Sequence, residues 1–302
     1  MTSDCAELVV DCRNTLGEMP LWCARSGRMF WIDVFKPGRV FFWQEKTGRV
    51  DFWQFDELVT GLALYPNGNL LVAQTSDIIQ FDPETEAAVP VFSMTAAQPK
   101  HRFNDGACDP LGRFWVGSMQ NNIADDSGET EDLASTGGIY RVGVDGDAHF
   151  FDEKLACPNA ICWSPDAAIL YVADSMAGWL YSYAFDLDRG LLGNREEFCR
   201  FDGFGIPDGA AVDRDGCIWN ARWGAGAVLR ITPDAKIDQI VRVPTTNATA
   251  CAFGGEDLRT LYITTARCGL TGSQLKDERL AGGVFSVYVE VPGLKGATFG
   301  AA

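Results

Sequence analysis

Six passages of the chain share one pattern of hydrophobic and polar positions. In each, a strand-like apolar run reaches a turn containing Gly or Asp, and a second run rich in aromatic residues leaves it. The passages are LGEMPLWCARSGRMFWID, TGLALYPNGNLLVAQ, NDGACDPLGRFWVGSM, PNAICWSPDAAILYVADS, PDGAAVDRDGCIWNARW and ATACAFGGEDLRTLYITTA. They recur roughly every 40–55 residues, as in repeat architectures. Their β-branched and aromatic content predicts that each unit is built of strands.

Further strands follow within most units. The pattern predicts them at residues 38–43, 138–142, 179–185 and 227–231, with hairpin turns after them. Four antiparallel strands in each of six units predict an all-β chain folded as a six-bladed β-propeller. We expect residues 1–302 to form a single domain. Two β-sandwiches are the alternative, since they would also show short strands between turn signals.

Two segments stand apart from the repeat. Residues 7–13 form a lone predicted strand, which we expect to pair with the last unit near residues 284–289 and so close the ring. Such pairing would protect the edges that a row of blades exposes. Residues 121–136 are acidic and rich in Asp, Ser, Gly and Thr, which predicts a long surface loop.

Composition narrows the class of protein. A hydrophobic fraction of 47% over 302 residues permits a substantial core. The net charge of −16 argues against nucleic acid and anionic membranes as partners. No apolar stretch approaches the roughly 20 residues of a membrane-spanning helix. Ten cysteines without metal-type spacing predict reduced thiols in a cytoplasmic protein. The pattern indicates no oligomeric state.

Polar residues open the first strand of the repeat units. In a propeller these strands line the central channel, so the residues that begin them should ring its mouth. The ring would comprise Glu18, Thr60, Asn104, Asp105, Asn159, Asp208 and Thr249. Taken singly, such residues are turn formers. Converging carboxylates and amides instead suit a hard divalent cation such as Ca²⁺, Mg²⁺ or Mn²⁺. Zn²⁺ or Fe²⁺ would lack the usual His or Cys ligands.

Several catalytic signatures are missing from the sequence. It contains no G-x-S-x-G elbow, no phosphate-binding loop and no dinucleotide fingerprint. Neither histidine is a strong candidate base. His149 falls in a predicted strand, and His101 is expected to be solvated, with a loop position in the pocket as the alternative. An ordinary serine esterase and a nucleotide-binding enzyme are therefore disfavoured.

Motifs in each of these passages except the second also resemble a known family. They are LGEMPLW at 16–22, RFNDG at 102–106, DPLGRFW at 109–115, PNA at 158–160, WSPD at 163–166, PDG at 207–209, FGG at 253–255 and LYIT at 261–264. In this order they resemble the gluconolactonase, or regucalcin (senescence marker protein), family of sugar lactonases. The later LAGG at 280–283 is similar to the bacterial sugar-lactonase branch.

The resemblance implies a set of site residues. Glu18, Asn159 and Asp208 would hold one divalent metal ion, and Arg102 and Asn104 would bind substrate. A third substrate-binding candidate is Asn122, which lies where some relatives carry a glutamate. Three departures from the family pattern are Met19 and Ala160 in place of glycine and Ser118 in place of threonine.

The expected activity is hydrolysis of a small-molecule sugar aldonolactone to its aldonic acid. The sugar could be of the gluconolactone, xylonolactone, arabinonolactone or galactonolactone type. Asp208 is the candidate catalytic base, because one carboxylate oxygen can face the metal and the other the attacking water. One alternative is a non-enzymatic divalent-cation-binding or scaffold propeller, since fold does not fix function. Another is hydrolysis of a different ester or an organophosphate.

Overall fold

The computed structural model describes residues 5–123 and 133–301, and in this part of the chain it confirms the six-bladed β-propeller. Six separate four-stranded antiparallel sheets form the blades. The first strands of neighbouring blades contact one another in cyclic order around a central channel. The sandwich alternative is therefore wrong, because the strands are divided among six small sheets in a ring.

The strands follow the repeat closely. The closing strand is β1 (Glu7–Val10). Blade 1 contains β2 (Gly17–Cys23), β3 (Arg28–Asp33), β4 (Gly38–Gln44) and β5 (Val50–Phe55). Blade 2 contains β6 (Gly61–Leu64), β7 (Leu70–Ala73), β8 (Asp77–Phe81) and β9 (Ala88–Ser93). Blade 3 contains β10 (His101–Cys108), β11 (Phe114–Gln120), β12 (Gly137–Val142) and β13 (Ala148–Leu155).

The second half continues in the same way. Blade 4 contains β14 (Pro158–Trp163), β15 (Ile169–Asp174), β16 (Trp179–Asp186) and β17 (Leu191–Cys199). Blade 5 contains β18 (Ile206–Val212), β19 (Ile218–Trp223), β20 (Ala227–Ile231) and β21 (Ile237–Arg242). Blade 6 contains β22 (Ala248–Gly254), β23 (Thr260–Thr265) and β24 (Val284–Tyr288), with the short helix α1 (Gln274–Asp277) before β24. No helix among the described residues is long and apolar enough to span a membrane.

The predicted ring closure is confirmed. Strand β1 pairs antiparallel with β24, with Glu7 opposite Ser286 and Val10 opposite Val284. The strand ends three residues earlier than the predicted range 7–13. Residues 11–14 have no regular secondary structure, and Arg13 adopts a left-handed φ of +52°, which a regular strand does not accommodate. Blade 6 is thus built from both ends of the chain.

Buried tryptophans and aspartates stabilise the blades from within. Trp115 of blade 3 and Trp219 of blade 5 are almost fully buried in β11 and β19. Each indole N–H donates to a buried turn carboxylate at 2.8 Å, Asp109 for the former and Asp213 for the latter. The aspartates of the DPLGRFW and DRDGCIW passages therefore have a structural role, in the turns between the first and second strands of their blades.

A segment that we call the C-terminal strap, residues 293–301, crosses the channel at the end opposite the starts of the first strands. Its backbone N–H groups bond Val212 of blade 5, Leu64 of blade 2 and Gly112 of blade 3. It covers a largely apolar channel cavity of about 400 Å³. Phe299 is fully buried and packs edge-on against Tyr65, with ring centroids 5.1 Å apart.

Candidate active site

A second cavity, of about 190 Å³, lies at the end of the channel where the first strands begin. The structure brings the six predicted metal-binding and substrate-binding residues to this cavity. Its lining includes Glu18, Arg102, Asn104, Asn122, Asn159 and Asp208, together with Thr60 and Asp105 from the expected ring. These side chains come from blades 1 to 5, so residues far apart in the sequence share one site.

Thr249 is an exception to the expected ring. Its side chain is fully buried, and its hydroxyl donates to the backbone oxygen of Gly17 and contacts the hydroxyl of Thr264. Thr249 therefore joins blade 6 to blade 1 and does not line the cavity. The expectation that Thr249 lines the channel mouth was wrong. Its position in the repeat does not reveal that its hydroxyl bonds the neighbouring blade.

Backbone irregularities position the inward-facing side chains. The pairing register shifts directly after Glu18, Asn104 and Asn159. The residue that follows each of them has a left-handed backbone: φ is +53° at Met19, +50° at Asp105 and +55° at Ala160. A β-bulge of this kind re-aims side chains beside functional sites. Glycine adopts this conformation most easily, which explains why the family pattern has glycine where this chain has Met19 and Ala160.

Three carboxylates repel one another around the cavity. Burial raises the pKa of Glu18 well above its usual range, and the charges of Asp208 and Asp105 raise it further. Burial, followed by the charge of Asp105, likewise raises the pKa of Asp208. Burial raises the pKa of Asp105 to about 6, although backbone N–H groups such as that of Ile161 at 3.1 Å oppose the rise. The site therefore concentrates negative charge that a cation would neutralise.

Amide side chains fill the space between the carboxylates and Arg102. The Arg102 guanidinium is buried and donates to Asn122 Oδ1 through Nε at 3.1 Å and Nη2 at 3.0 Å. Its Nη1 donates to Asn104 Oδ1 at 2.7 Å. Asn104 Nδ2 in turn donates to Asn159 Oδ1 at 3.0 Å and to the Pro158 oxygen at 2.9 Å. Asn104 thus connects the predicted substrate-binding arginine to a predicted metal ligand.

Two residues that were not predicted from the sequence hold the backbone of Asp208 through hydrogen bonds. Asn220 Nδ2 donates to the backbone oxygen of Asp208 at 2.6 Å, and Arg222 Nη1 donates to Asn220 Oδ1 at 2.9 Å. Arg222 is almost fully buried, and burial lowers its pKa to about 10. Its charge partly offsets the rise in the pKa of Asp208. The polar residues of WNARW, in a strand where apolar residues are expected, were the available signal.

The donor set fits a hard divalent cation. Carboxylate and amide oxygens are the ligands that such ions prefer, and the raised carboxyl pKa values show acidic groups short of positive charge. Within residues 5–123 and 133–301, no three His, Cys, Asp or Glu side chains are grouped as metal ligands. A site built on Glu18 and Asp208 therefore depends on the amide oxygen of Asn159.

Apolar side chains line another part of the cavity, and none of them was predicted as a site residue. They include Val34, Met119, Leu133, Met176, Ile206 and Trp223. They come from loops and strand ends of several blades, which no local pattern brings together. A cavity with one polar side and one apolar side can orient a small ligand.

The predicted loop at residues 121–136 lies partly outside the described residues, since 124–132 are not among them. At its described ends, Ile123 is buried and Thr136 approaches His101 Nε2 to 3.0 Å. His101 is the first residue of β10 and is half-buried. It does not line the cavity, so the alternative that it is a loop residue of the pocket is wrong. The predicted strand position of His149 is confirmed, within β13.

Comparison with known proteins gives the same assignment as the motifs. Residues 16–267 match the family model described as SMP-30/Gluconolactonase/LRE-like region. The chain belongs to this family. It is 35% identical to 6-deoxy-6-sulfogluconolactonase of Pseudomonas putida, covering 93% of both chains. It is 34% identical to L-arabinolactonase of Azospirillum brasilense, covering 97% of this chain and 95% of the relative.

A solved structure in the family has the same fold. It is a calcium-binding protein, regucalcin, from Agrobacterium tumefaciens, with a TM-score of 0.89, 27% identity and 97% coverage of both chains. Relatives in the family thus include lactonases that differ in their sugar and a protein described by its calcium binding.

Proposed function

We propose that this protein hydrolyses a monosaccharide aldonolactone to the corresponding aldonic acid, with a divalent cation held by Glu18, Asn159 and Asp208. The observation that carries the proposal is the single cavity where these three residues converge with a buried arginine. A bare cation site needs no arginine, whereas a lactonase must stabilise a developing negative charge and a carboxylate product. Named relatives that act on sugar lactones support the same class of reaction.

The cation would be Ca²⁺, Mg²⁺ or Mn²⁺ by its oxygen ligands, with Zn²⁺ or Fe²⁺ as less suited alternatives. When bound, such an ion withdraws electron density from the lactone carbonyl oxygen and lowers the pKa of a neighbouring water. Glu18 and Asp208 supply the negative charge that holds it, and Asn159 supplies a neutral oxygen.

Asp208 is the proposed general base. Its carboxylate takes a proton from the attacking water while the water oxygen bonds to the carbonyl carbon. The ring C–O bond then breaks, and Asp208 returns the proton to the ring oxygen, which leaves as a hydroxyl. Asn220 and Arg222 hold the backbone at Asp208, so the carboxylate is in place before substrate arrives.

Arg102, Asn104 and Asn122 are the proposed substrate-binding residues. The guanidinium of Arg102 stabilises negative charge as the lactone opens and then binds the carboxylate product. Asn122 accepts two of its N–H groups and so fixes its plane. Both polar atoms of the Asn104 side chain already bond protein groups. We therefore propose that Asn104 mainly positions Arg102 and Asn159, and contacts substrate less.

The size of the cavity limits the substrate. Its volume of about 190 Å³ is below the roughly 300–1,000 Å³ typical of sites for drug-sized ligands. A single five- or six-carbon lactone suits this volume better than a disaccharide. The partner is therefore a small-molecule sugar lactone. We expect the protein in the cytoplasm, where buried thiols such as Cys162 and Cys251 stay reduced.

A turnover panel tests the proposal. Gluconolactone, xylonolactone, arabinonolactone and galactonolactone are offered to metal-stripped protein, with and without added Ca²⁺, Mg²⁺, Mn²⁺, Zn²⁺ or Fe²⁺. We expect opening of at least one lactone to fall to background on stripping and to return with an ion. Asp208→Ala should remain at background with every ion. Turnover that survives both chelation and Asp208→Ala contradicts the proposal.

A second candidate function is cation binding without catalysis, favoured by the calcium-binding description of the Agrobacterium structure. Calorimetry separates the two functions. Cation binding that requires Glu18 and Asp208, with no turnover of any lactone, would support the second candidate. Turnover of another ester or an organophosphate alone would identify the same site with a different substrate.

A further inference from the structure

Four side chains form a hydrogen-bonded chain along one wall of the site cavity. Arg102 Nη1 donates to Asn104 Oδ1 at 2.7 Å, and Asn104 Nδ2 donates to Asn159 Oδ1 at 3.0 Å. Asn159 Nδ2 donates to Ser175 Oγ at 2.8 Å, and Ser175 Oγ donates to the backbone oxygen of Pro207 at 2.7 Å. The chain runs from blade 3 through blade 4 to blade 5.

The groups at the two ends of this series of hydrogen bonds determine which atom donates and which accepts in each bond. A guanidinium can only donate and a backbone carbonyl can only accept. From the first end, Asn104 must turn its oxygen to Arg102 and its nitrogen to Asn159. From the other end, the one hydroxyl hydrogen of Ser175 is given to Pro207, so Ser175 can only accept from Asn159. Both constraints require the same orientation of the Asn159 amide.

This orientation decides whether Asn159 can bind a cation. An asparagine amide can turn over and exchange its oxygen and nitrogen unless hydrogen bonds distinguish the two. Only the oxygen is a ligand for a divalent ion, and the NH₂ group would repel it. With the nitrogen held by Ser175, the oxygen stays on the side of Asn104 and keeps a second lone pair for an ion.

Ser175 is placed to fix this geometry. It directly follows β15, has only 7% of its surface exposed and lines the cavity with Asn159 and Pro207. Its own N–H donates to the backbone oxygen of Cys157 at 3.0 Å, which fixes its position relative to the strand that carries Asn159. Its hydroxyl contacts the residue directly before Asp208. One hydroxyl thus connects the strands of two proposed metal ligands.

We propose that Ser175 is a positioning residue for the divalent cation, holding Asn159 with its amide oxygen presented to the cavity and registering that strand against Asp208. The inference rests on the proposed function. Outer hydrogen-bond partners of metal ligands typically change metal affinity about 10- to 100-fold. Ser175 should act on cation affinity in the absence of any substrate.

The test is calorimetric titration of Mn²⁺ into metal-stripped protein at one pH. We expect Ser175→Ala to weaken Mn²⁺ binding by about 10- to 100-fold. The matched control is Ser164→Ala, which removes a serine hydroxyl bonded to Asp166 and Ile169 at the far end of the same blade. That variant should bind Mn²⁺ as the wild type does. Ser175→Thr, which keeps a hydroxyl, should retain an affinity within a few-fold of wild type.

The outcomes separate this inference from the proposed function. If wild type binds Mn²⁺ and a folded Ser175→Ala variant binds it equally well, the inference is wrong and the proposed function stands. If wild type binds no divalent ion, both are wrong. Should Ser175→Ala fail to fold, Ser175→Cys replaces it, because a thiol is only a weak donor and acceptor. Wild-type affinity in that variant would likewise overturn the inference.

Discussion

At the scale of single residues, Ala160 carries a conformation that costs energy. Its φ of +55° is left-handed, which costs a non-glycine residue about 1–2 kcal/mol. Replacing it with glycine removes one buried methyl group, worth about 0.8 kcal/mol. The greater backbone entropy of glycine in the unfolded chain costs about 0.5–1 kcal/mol more. We therefore expect Ala160→Gly to change the free energy of unfolding by less than about 1 kcal/mol in either direction.

Urea denaturation of Ala160→Gly beside Ala221→Gly checks this expectation. Ala221 is also fully buried in a first-to-second strand pair, but it has no positive φ. Its replacement should lower the free energy of unfolding by about 1–2 kcal/mol, from the lost methyl and the greater backbone entropy of glycine. Equal losses in the two variants would show that position 160 is not strained.

Asp105 makes the stability of the metal-stripped protein depend on pH. Its pKa is about 6 in the folded protein against 3.8 for the unperturbed group. The folded state therefore binds more protons than the unfolded state in this interval, and stability is lost as pH rises from about 4 through about 6. Glu18 and Asp208 act in the same direction. At pH 7 the ionisation of Asp105 lowers the free energy of unfolding by at most about 3 kcal/mol relative to acidic pH.

Unfolding of metal-stripped protein between pH 4.5 and 7.5 measures this effect. We expect Asp105→Asn to reduce the loss of stability on going to pH 7.5. Asp82→Asn serves as the control, because Asp82 is a carboxylate whose pKa is lowered by hydrogen bonds from the backbone N–H of Glu84 and the side chain of Thr85. If Asp105→Asn and wild type lose the same stability between pH 4.5 and 7.5, the pKa of Asp105 is not raised in the folded protein.

At the scale of elements, the C-terminal strap buries one large side chain in the propeller core. Phe299 is fully buried beside Tyr65, so its truncation leaves a cavity in the core. We expect Phe299→Ala to lower the free energy of unfolding by about 3–5 kcal/mol. Phe52→Ala is the control: Phe52 is 46% exposed, and its loss should cost under about 1 kcal/mol. A cost for Phe299→Ala as small as the control would mean that the strap contributes little.

Elements with local signals were predictable from the sequence. The strand at Ala227–Ile231 was predicted to the residue, because apolar and β-branched residues run between clear turn signals. The pairing of β1 with β24 followed from the need to close a ring. The strap was not predicted, since it has no regular secondary structure and its anchor, Phe299, meets residues more than 200 positions away in the chain.

The residues proposed to bind the cation could be predicted from the sequence, whereas the residues that hold them in place could not. Repeat phase and family resemblance predicted Glu18, Asn159 and Asp208 as metal ligands, because each occupies an equivalent place in its blade, and all three line the cavity. Ser175 and Asn220 escaped notice, since their roles depend on hydrogen bonds between blades or to backbone oxygens. Such partners are set by β-bulges and blade packing, which a single sequence does not display.

At the scale of the whole molecule, the propeller serves to bring dispersed residues together. Five blades contribute polar side chains to one cavity, from a single residue in blades 1, 2 and 5 to four residues in blade 3. We propose that residues 1–302 act as one domain, since β1, β24 and the strap connect the two ends of the chain to opposite parts of the ring. On this proposal, the site would form only when the ring is closed.

The most direct measurement is an anomalous difference map from a crystal of the protein loaded with Mn²⁺. The account predicts one strong peak in the smaller cavity, within about 2.6 Å of carboxylate oxygens of Glu18 and Asp208 and of Asn159 Oδ1. The peak should vanish in Asp208→Ala crystals grown in the same way. A peak at another place, or none in protein that opens lactones under the same conditions, would contradict the account.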